Sequence, residues 1–324
     1  MAVGSTEDIR ALDLIADIGA TNTRCGLVDD KGHVLAPEYF KNEDFSGVEH
    51  VLRTYLDRRR ASDRPRRAAI AIAAPIVGDE VDMVNRGWRF SRSALAESLG
   101  LEPLTLINDF AAIAWALPSL KPEHVAKIGG GNPVARAPMV TLGPGTGLGV
   151  SSVVPSADTW TVVQGEGGHQ TLAAADEEEA RVIELIRDEF GHCSVERALS
   201  GPGLVNLYQA LGRRAGRGAP TATPHDVTAL AEQGEPLAQK TRAMFFAMLG
   251  TVAGNLALTL GALGGVYIAG GIVPKFLDAF TESPFRERFE AKGRYRWYMQ
   301  RIPTYVITDP LPAFIGLKRL LGYR

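Results

Sequence analysis

Cysteine is scarce: the 324-residue chain carries two, Cys25 and Cys193, far apart in sequence. That excludes a disulfide framework and any cysteine-based zinc site, and it fits a reducing compartment. Charge of one sign is lacking too. Lys and Arg number 35 against 37 Asp and Glu, a net of −2, so no general positive field is there to hold nucleic acid. One local exception is Arg58, Arg59, Arg60, Arg64, Arg66 and Arg67, which reads either as a solvated helix end and loop or as an anion or partner patch. The two common nucleotide motifs are missing. No G-x-x-x-x-G-K-[ST] occurs, and Gly143, Gly145, Gly147 and Gly149 follow G-x-G-x-G-x-G, which is not the dinucleotide spacing. Met1 to Arg10 has Glu7 and Asp8 but no apolar run, so no signal peptide is expected.

What is present is ordinary for a soluble globular protein: 45% hydrophobic and 22% charged residues. The length suggests roughly two domains. One stretch invites a membrane reading, because Ala243 to Pro274 has no charged residue. Seven glycines interrupt it, and Thr251, Asn255 and Thr259 put a polar stripe on one helical face. A buried helix, a glycine turn and a buried strand explain it better, so no membrane contact is expected.

Along the chain, Leu12 to Ala16 reads as a strand feeding a turn at Asp17 and Gly19, and Arg24 to Val28 as the next strand, with a hairpin turn at Asp29–Gly32. Val48 to Arg60 reads as a helix, Ala68 to Ala74 as a strand, and Ser91 to Ser98 as a helix capped by Ser91. Leu104 to Ile107 is a strand followed at once by Asn108 and Asp109, then a helix from Phe110 to Ala116. The pattern restarts with strand Met139 to Leu142 and a Gly143–Gly147 turn, and strands Gly149 to Val154 and Trp160 to Val163 follow. Helices are expected at Glu177 to Phe190 and Val205 to Leu211, a loop at Gly212 to Thr223, and a buried strand at Val266 to Ala269. Two openings of the form strand, Gly/Thr turn, strand, each leading into alternating strands and helices, predict an α/β fold with two lobes.

Both Gly/Thr turns suit phosphate. Glycine lets the backbone approach and aim N–H groups inward, and Thr adds a hydroxyl. Either turn alone is equally readable as a tight hairpin. Asn108 and Asp109, at a strand end, suit two roles: helix capping, or an amide that orients hydroxyls beside a carboxylate that accepts a proton. Glu166 and Glu196 are acceptors, and His169 can donate or accept. Glu166 and His169 stand three apart with Gly167 and Gly168 between, which is not a zinc spacing.

Seven ordered segments share one resemblance. Asp17-Ile18-Gly19-Ala20-Thr21-Asn22-Thr23-Arg24 resembles the phosphate-1 motif of sugar kinases in the hexokinase–actin superfamily, departing at Ala20, where the family usually has Gly. Gly143 to Gly149 resembles phosphate-2, and Gly264 to Pro274 resembles the adenosine motif. Leu106 to Phe110, Gly165 to His169, Glu196 to Gly201 and Gly201 to Tyr208 narrow the likeness to the glucokinase family typical of proteobacteria. The resemblance implies a two-lobed ribonuclease H-like (actin/hexokinase) fold with a cleft between lobes. It implies a small domain of residues 1–116 with about 308–324, and a large one of residues 117–307.

It also implies transfer of the ATP γ-phosphoryl to the C6 hydroxyl of glucose, with Asp109 as general base. Glucose would lie on Asn108, Asp109, Glu166, His169 and Glu196. ATP would lie on Asp17, Gly19, Ala20, Thr21, Asn22, Arg24, Gly145, Thr146, Gly147, Gly270 and Gly271, with Asp17 holding Mg²⁺ through water. Asn85 and Trp88 fall in a segment that faces the cleft in this family. The Ala20 methyl asks for a negative φ. No zinc and no nucleic acid are expected, the location is expected to be cytoplasmic, and the assembly a homodimer. Too few residues precede the first strand for a DNA-binding helix-turn-helix. Mannose or fructose as the sugar, and polyphosphate as the donor, stay open.

Overall fold

The structure, a computed structural model, describes residues 12–217 and 222–323. The Met1–Arg10 reading and residues 218–221 of the expected loop lie outside the described residues. The chain divides into two compact units. One runs through Leu120 and takes back the segment from Pro310; the other is Lys121–Asp309.

The first unit is built on a five-stranded sheet. Its strands in chain order are β1 (Asp13–Ile18), β2 (Asn22–Val28), β3 (Val34–Lys41), β4 (Arg67–Ile72) and, after the hairpin β5 (Glu80–Met83) and β6 (Trp88–Ser91), β7 (Leu104–Asn108). The sheet order is β3-β2-β1-β4-β7. The first three strands are antiparallel, and β1, β4 and β7 run parallel, with Asp17 beside Ala71 and Ile72 beside Asn108. β1 and β4 are buried along nearly their whole length, which accounts for their unbroken apolar runs. The helix Val48–Asp57 covers the core with Val51, Leu52, Tyr55 and Leu56. It stops three residues short of the expected Arg60, where the arginine run begins.

The helix Asp109–Ala116 lies against the returning helix Pro312–Leu320, so closely that a side chain at Gly316 would strike the Ala112 carbonyl. The return is anchored at Asp13, whose buried carboxylate takes Arg67 at 2.8 and 2.7 Å and the Tyr323 hydroxyl at 2.5 Å.

The second unit repeats the design. Its strands are β8 (Val125–Gly129), β9 (Met139–Pro144), β10 (Leu148–Ser156), β11 (Thr159–Gly165), β12 (Gly265–Ile268) and β13 (Thr304–Ile307), in the order β11-β10-β9-β12-β13-β8. β9, β12 and β13 are parallel, and β9, β10 and β11 form the antiparallel opening. The two predicted openings are therefore present as β1–turn–β2 and β9–turn–β10. The helix Glu177–Phe190 has the predicted bounds, with Asp176 accepting from Glu179 N–H at its start.

One helix is longer than expected. Gly201–Arg214 begins four residues before Val205, because Ser200 caps it and Pro202 sits in the first turn, where no N–H is missed. The uncharged stretch forms the helix Pro236–Leu260, a turn at Gly261 with φ 60°, and strand β12. That helix is long and apolar enough to cross a membrane, but two-thirds of its most apolar stretch (67%) is buried inside the molecule. Its polar stripe has partners: Arg288 donates to Thr251 at 2.9 Å and Lys292 to Asn255 at 2.7 Å.

Candidate active site

In the first unit, the candidate residues gather at the carboxyl ends of the parallel strands, where open α/β sheets place ligands. Asp17 is the penultimate residue of β1 and Asn108 the last of β7, two strands away in the same sheet. Asp109 is the first residue of the next helix and is half-buried. Asn108 does cap this helix: its Oδ1 accepts from Phe110 N–H at 2.9 Å and Ala111 N–H at 3.3 Å, and its Nδ2 donates to the Ala74 carbonyl. The capping role thus falls to Asn108, and its neighbour Asp109 takes the N1 position. Phe110 N–H also donates to Asp109 Oδ1 at 2.9 Å.

The turn Gly19-Ala20-Thr21 joins β1 to β2, and Gly19 N–H donates to the Asn22 carbonyl at 3.0 Å. Ala20 is not among the non-glycine residues with positive φ, so its methyl costs the turn nothing in backbone strain. Thr21 and Asn22 are exposed. Arg24 points back at Asp17, with Nη1 3.0 Å from Oδ2. Burial pushes the Asp17 carboxyl up, and the Arg24 charge and hydrogen bond oppose it.

The described residues include no group of three or more His, Cys, Asp or Glu placed to hold a metal ion. A Mg²⁺ that arrives with a nucleotide takes most of its ligands from phosphate and water and needs only one or two carboxylates. A single carboxylate beside a phosphate-type turn, as Asp17 is, fits that requirement.

In the second unit, the turn Gly145-Thr146-Gly147 joins β9 to β10. Gly145 N–H donates to the Gly147 carbonyl at 2.8 Å, and the Gly145 carbonyl accepts from Gly201 N–H at 2.8 Å. Thr146 is exposed. Gly270, with φ 83°, lets the chain after β12 pass against the Pro144 carbonyl; a side chain there would strike it. Gly271 is exposed beside it.

Glu166 and His169 are exposed at the end of β11, on a single 3₁₀ turn. Two backbone bonds, Val195 N–H to the Gln170 carbonyl at 2.8 Å and Leu172 N–H to the Cys193 carbonyl at 3.0 Å, tie that segment to the short helix Val195–Ala198. On it, Glu196 reaches across to β10, and its Oε2 accepts from Leu148 N–H at 2.7 Å. A side chain at Gly147 would run into the same oxygen. Within this unit, Glu196 and the Gly145–Gly147 turn are therefore one piece of structure.

A family model described as "Glucokinase" matches residues 14–322. The chain belongs to the glucokinase family. It is 47% identical over 310 residues to a glucokinase of Paramagnetospirillum magneticum, covering 95% of this chain and 97% of the relative. It is 44% identical over 315 residues to a glucokinase of Cronobacter sakazakii, covering 95% and 98%. A crystal structure of glucokinase from an Antarctic psychrotroph superposes with a TM-score of 0.86 at 34% identity, covering 96% of this chain and 98% of that one. Membership of the glucokinase family makes the chain an ATP-dependent kinase that phosphorylates glucose.

Trp88 is buried in the core of its unit, with the Arg86 guanidinium 5.4 Å from its ring centroid, while Asn85 is exposed. Within the arginine run, Arg58 and Arg59 pair with Glu38, Arg64 with Asp57 and Arg67 with Asp13, which favours the reading as a solvated helix end and loop over that as an anion patch. Sequence reasoning missed Asn42, a fully buried amide bonded to the first turn. Its position just past β3, 23 residues from Gly19, carries no local signal.

Proposed function

We propose that this chain transfers the γ-phosphoryl of MgATP to the C6 hydroxyl of glucose, giving glucose 6-phosphate and ADP at the first step of glycolysis. Asp109 is the general base. As the C6 oxygen attacks the γ-phosphorus, its proton passes to the Asp109 carboxylate. Asn108 spends its Oδ1 on the helix, so its amide holds Asp109 in place as well as serving the sugar. Glu166, His169 and Glu196 take the remaining sugar hydroxyls, which as paired donors suit carboxylate acceptors.

The turns at Gly19–Asn22 and Gly145–Gly147 hold the ATP phosphates through N–H groups and threonine hydroxyls, with Arg24 contributing charge, and Gly270 and Gly271 line the nucleoside end. Asp17 would hold Mg²⁺ through water. When bound, the ion neutralises charge on the phosphates. Asp17, kept oriented by Arg24, supplies the anionic partner. A homodimer in the cytoplasm completes the reading.

The observation that supports it is the Glu196–Leu148 hydrogen bond, which fastens the residue proposed as a sugar ligand to the turn proposed to hold phosphate. Group transfer from phosphate to sugar needs that adjacency. The test is a coupled assay of ADP release with glucose, mannose and fructose in turn, and with polyphosphate replacing ATP. Glucose with ATP is expected to give the highest kcat/KM. Turnover of another hexose without turnover of glucose overturns the substrate assignment, and equal rates with polyphosphate overturn the donor.

A further inference from the structure

Asn42 follows β3 directly and is fully buried. Three of its groups are committed to the first turn. Its backbone N–H donates to the Thr21 carbonyl at 2.9 Å. Its Nδ2 donates to the Gly19 carbonyl at 2.8 Å. Its Oδ1 accepts from the Thr23 hydroxyl at 2.8 Å. The two carbonyls it holds belong to the residues on either side of Ala20. In a planar trans peptide the C=O and the following N–H point opposite ways. Drawing the Gly19 and Thr21 carbonyls inward therefore turns the Ala20 and Asn22 N–H groups outward. Carbonyl oxygens facing a phosphate repel it, and N–H groups facing it bind it.

We infer that Asn42 is the positioning residue of the first phosphate turn: it sets the direction of the peptide groups around Ala20 so that N–H groups, not carbonyls, meet the nucleotide phosphates. The inference rests on the proposed reading of this turn as a nucleotide site. Asn42 itself faces the turn from behind and touches no substrate. An amide is required because the side chain donates to one group and accepts from another. A carboxylate keeps the Thr23 bond but sets an oxygen against the Gly19 carbonyl. An alanine loses both.

The experiment measures KM for ATP, KM for glucose and the dissociation constant of a non-hydrolysable ATP analogue in Asn42→Asp, Asn42→Ala, Thr23→Val and Asn22→Ala. Asn42→Asp and Asn42→Ala are expected to weaken ATP and the analogue by about tenfold, with KM for glucose within twofold of the parent. Thr23→Val keeps the donor to Gly19 and is expected to lose about threefold, which decides the matter if both Asn42 variants fail to fold. A folded Asn42→Asp with unchanged analogue binding, or with equal losses for both substrates, overturns the role of Asn42. Asn22→Ala checks the underlying reading. If it weakens ATP while Asn42→Asp does not, only the Asn42 inference fails; if both Asn22→Ala and Asn42→Asp leave ATP binding intact, the reading of the turn as the nucleotide site fails with it.

Discussion

The Glu196 carboxylate is 2.7 Å from the Leu148 backbone nitrogen, at the point where the Gly145–Gly147 turn enters β10. A single oxygen thus sees both the helix proposed to bind the sugar and the turn proposed to bind phosphate. Glu196→Gln is expected to raise KM for glucose by roughly 10- to 100-fold, since a charge-assisted hydrogen bond contributes about 1.5–3 kcal/mol. KM for ATP should stay within twofold. Gly147→Ala should act in the same direction, because its methyl displaces the end of a flexible side chain while leaving the backbone in place. Steady-state kinetics with each substrate varied decide it, and equal losses for both substrates would point to a damaged turn instead.

For Asp109, the substitution to Asn removes the proposed base and keeps the shape. The expected result is a fall in kcat of about 10²–10⁴ with glucose affinity retained by calorimetry. Near-normal kcat would return Asp109 to a helix-start role. Asn108 makes the capping bonds here, so loss of the Asp109 charge should leave the helix Asp109–Ala116 in place.

Much of this architecture is legible in local chemistry. The β1–β2 and β9–β10 turns stand out because Gly and Thr cluster at each, and the helix Glu177–Phe190 because an acidic start precedes regular apolar spacing. β3 was not legible. It is an edge strand with Pro37 and a positive φ at Ala36, so its period-two pattern is broken. Asn42 is hidden with it, since its partners lie on the far side of that strand pairing. β8 and β13 are short and pair with each other although the partners Gly129 and Thr304 stand 175 positions apart (304 − 129). Nothing within either segment announces the other. The roles proposed for Glu166 and His169 are legible only through the family likeness, because exposed residues of these types are common.

Thr141 is fully buried on β9, and its hydroxyl has no hydrogen-bond partner among the described residues. Desolvating an unpaired hydroxyl costs about 1–3 kcal/mol. Thr141→Val keeps the β-branched shape that a buried strand favours and removes that cost. The variant is expected to melt about 2–4 °C above the parent by calorimetry. A lower melting temperature would mean that the hydroxyl does find a partner.

Cys193 is buried beside the Glu196 helix, and burial pushes its thiol up to about 11, against the Arg187 and Arg197 charges. Reactivity follows the thiolate, so alkylation of the native protein at pH 8 should be far slower than that of a free thiol. The unfolded chain ionises this group first, near 9. Between pH 9 and 11 the folded state holds the proton that the unfolded state has lost, and stability falls as pH rises. Cys193→Ala should flatten that part of the stability–pH curve. An unchanged slope would assign the alkaline loss to other groups.

Asp17 and Arg24 give a pH prediction for activity. Burial raises the Asp17 carboxyl, and Arg24, 3.0 Å away, holds it down. Arg24→Gln removes the opposing charge while leaving a donor of similar reach, so Asp17 must titrate at higher pH than in the parent. If Asp17 acts as a carboxylate toward MgATP, the acidic limb of kcat/KM for ATP moves to higher pH in Arg24→Gln. The limb for glucose binding stays where it was. Stability moves with the same sign. A carboxyl raised in the folded state is destabilising once it ionises, so stability falls as pH rises above the ordinary aspartate range, and the window widens in Arg24→Gln. Asp17→Asn in the Arg24→Gln background should restore stability at neutral pH without restoring activity. Recovery of activity in the double variant would show that Asp17 serves the fold alone and that the MgATP role belongs elsewhere.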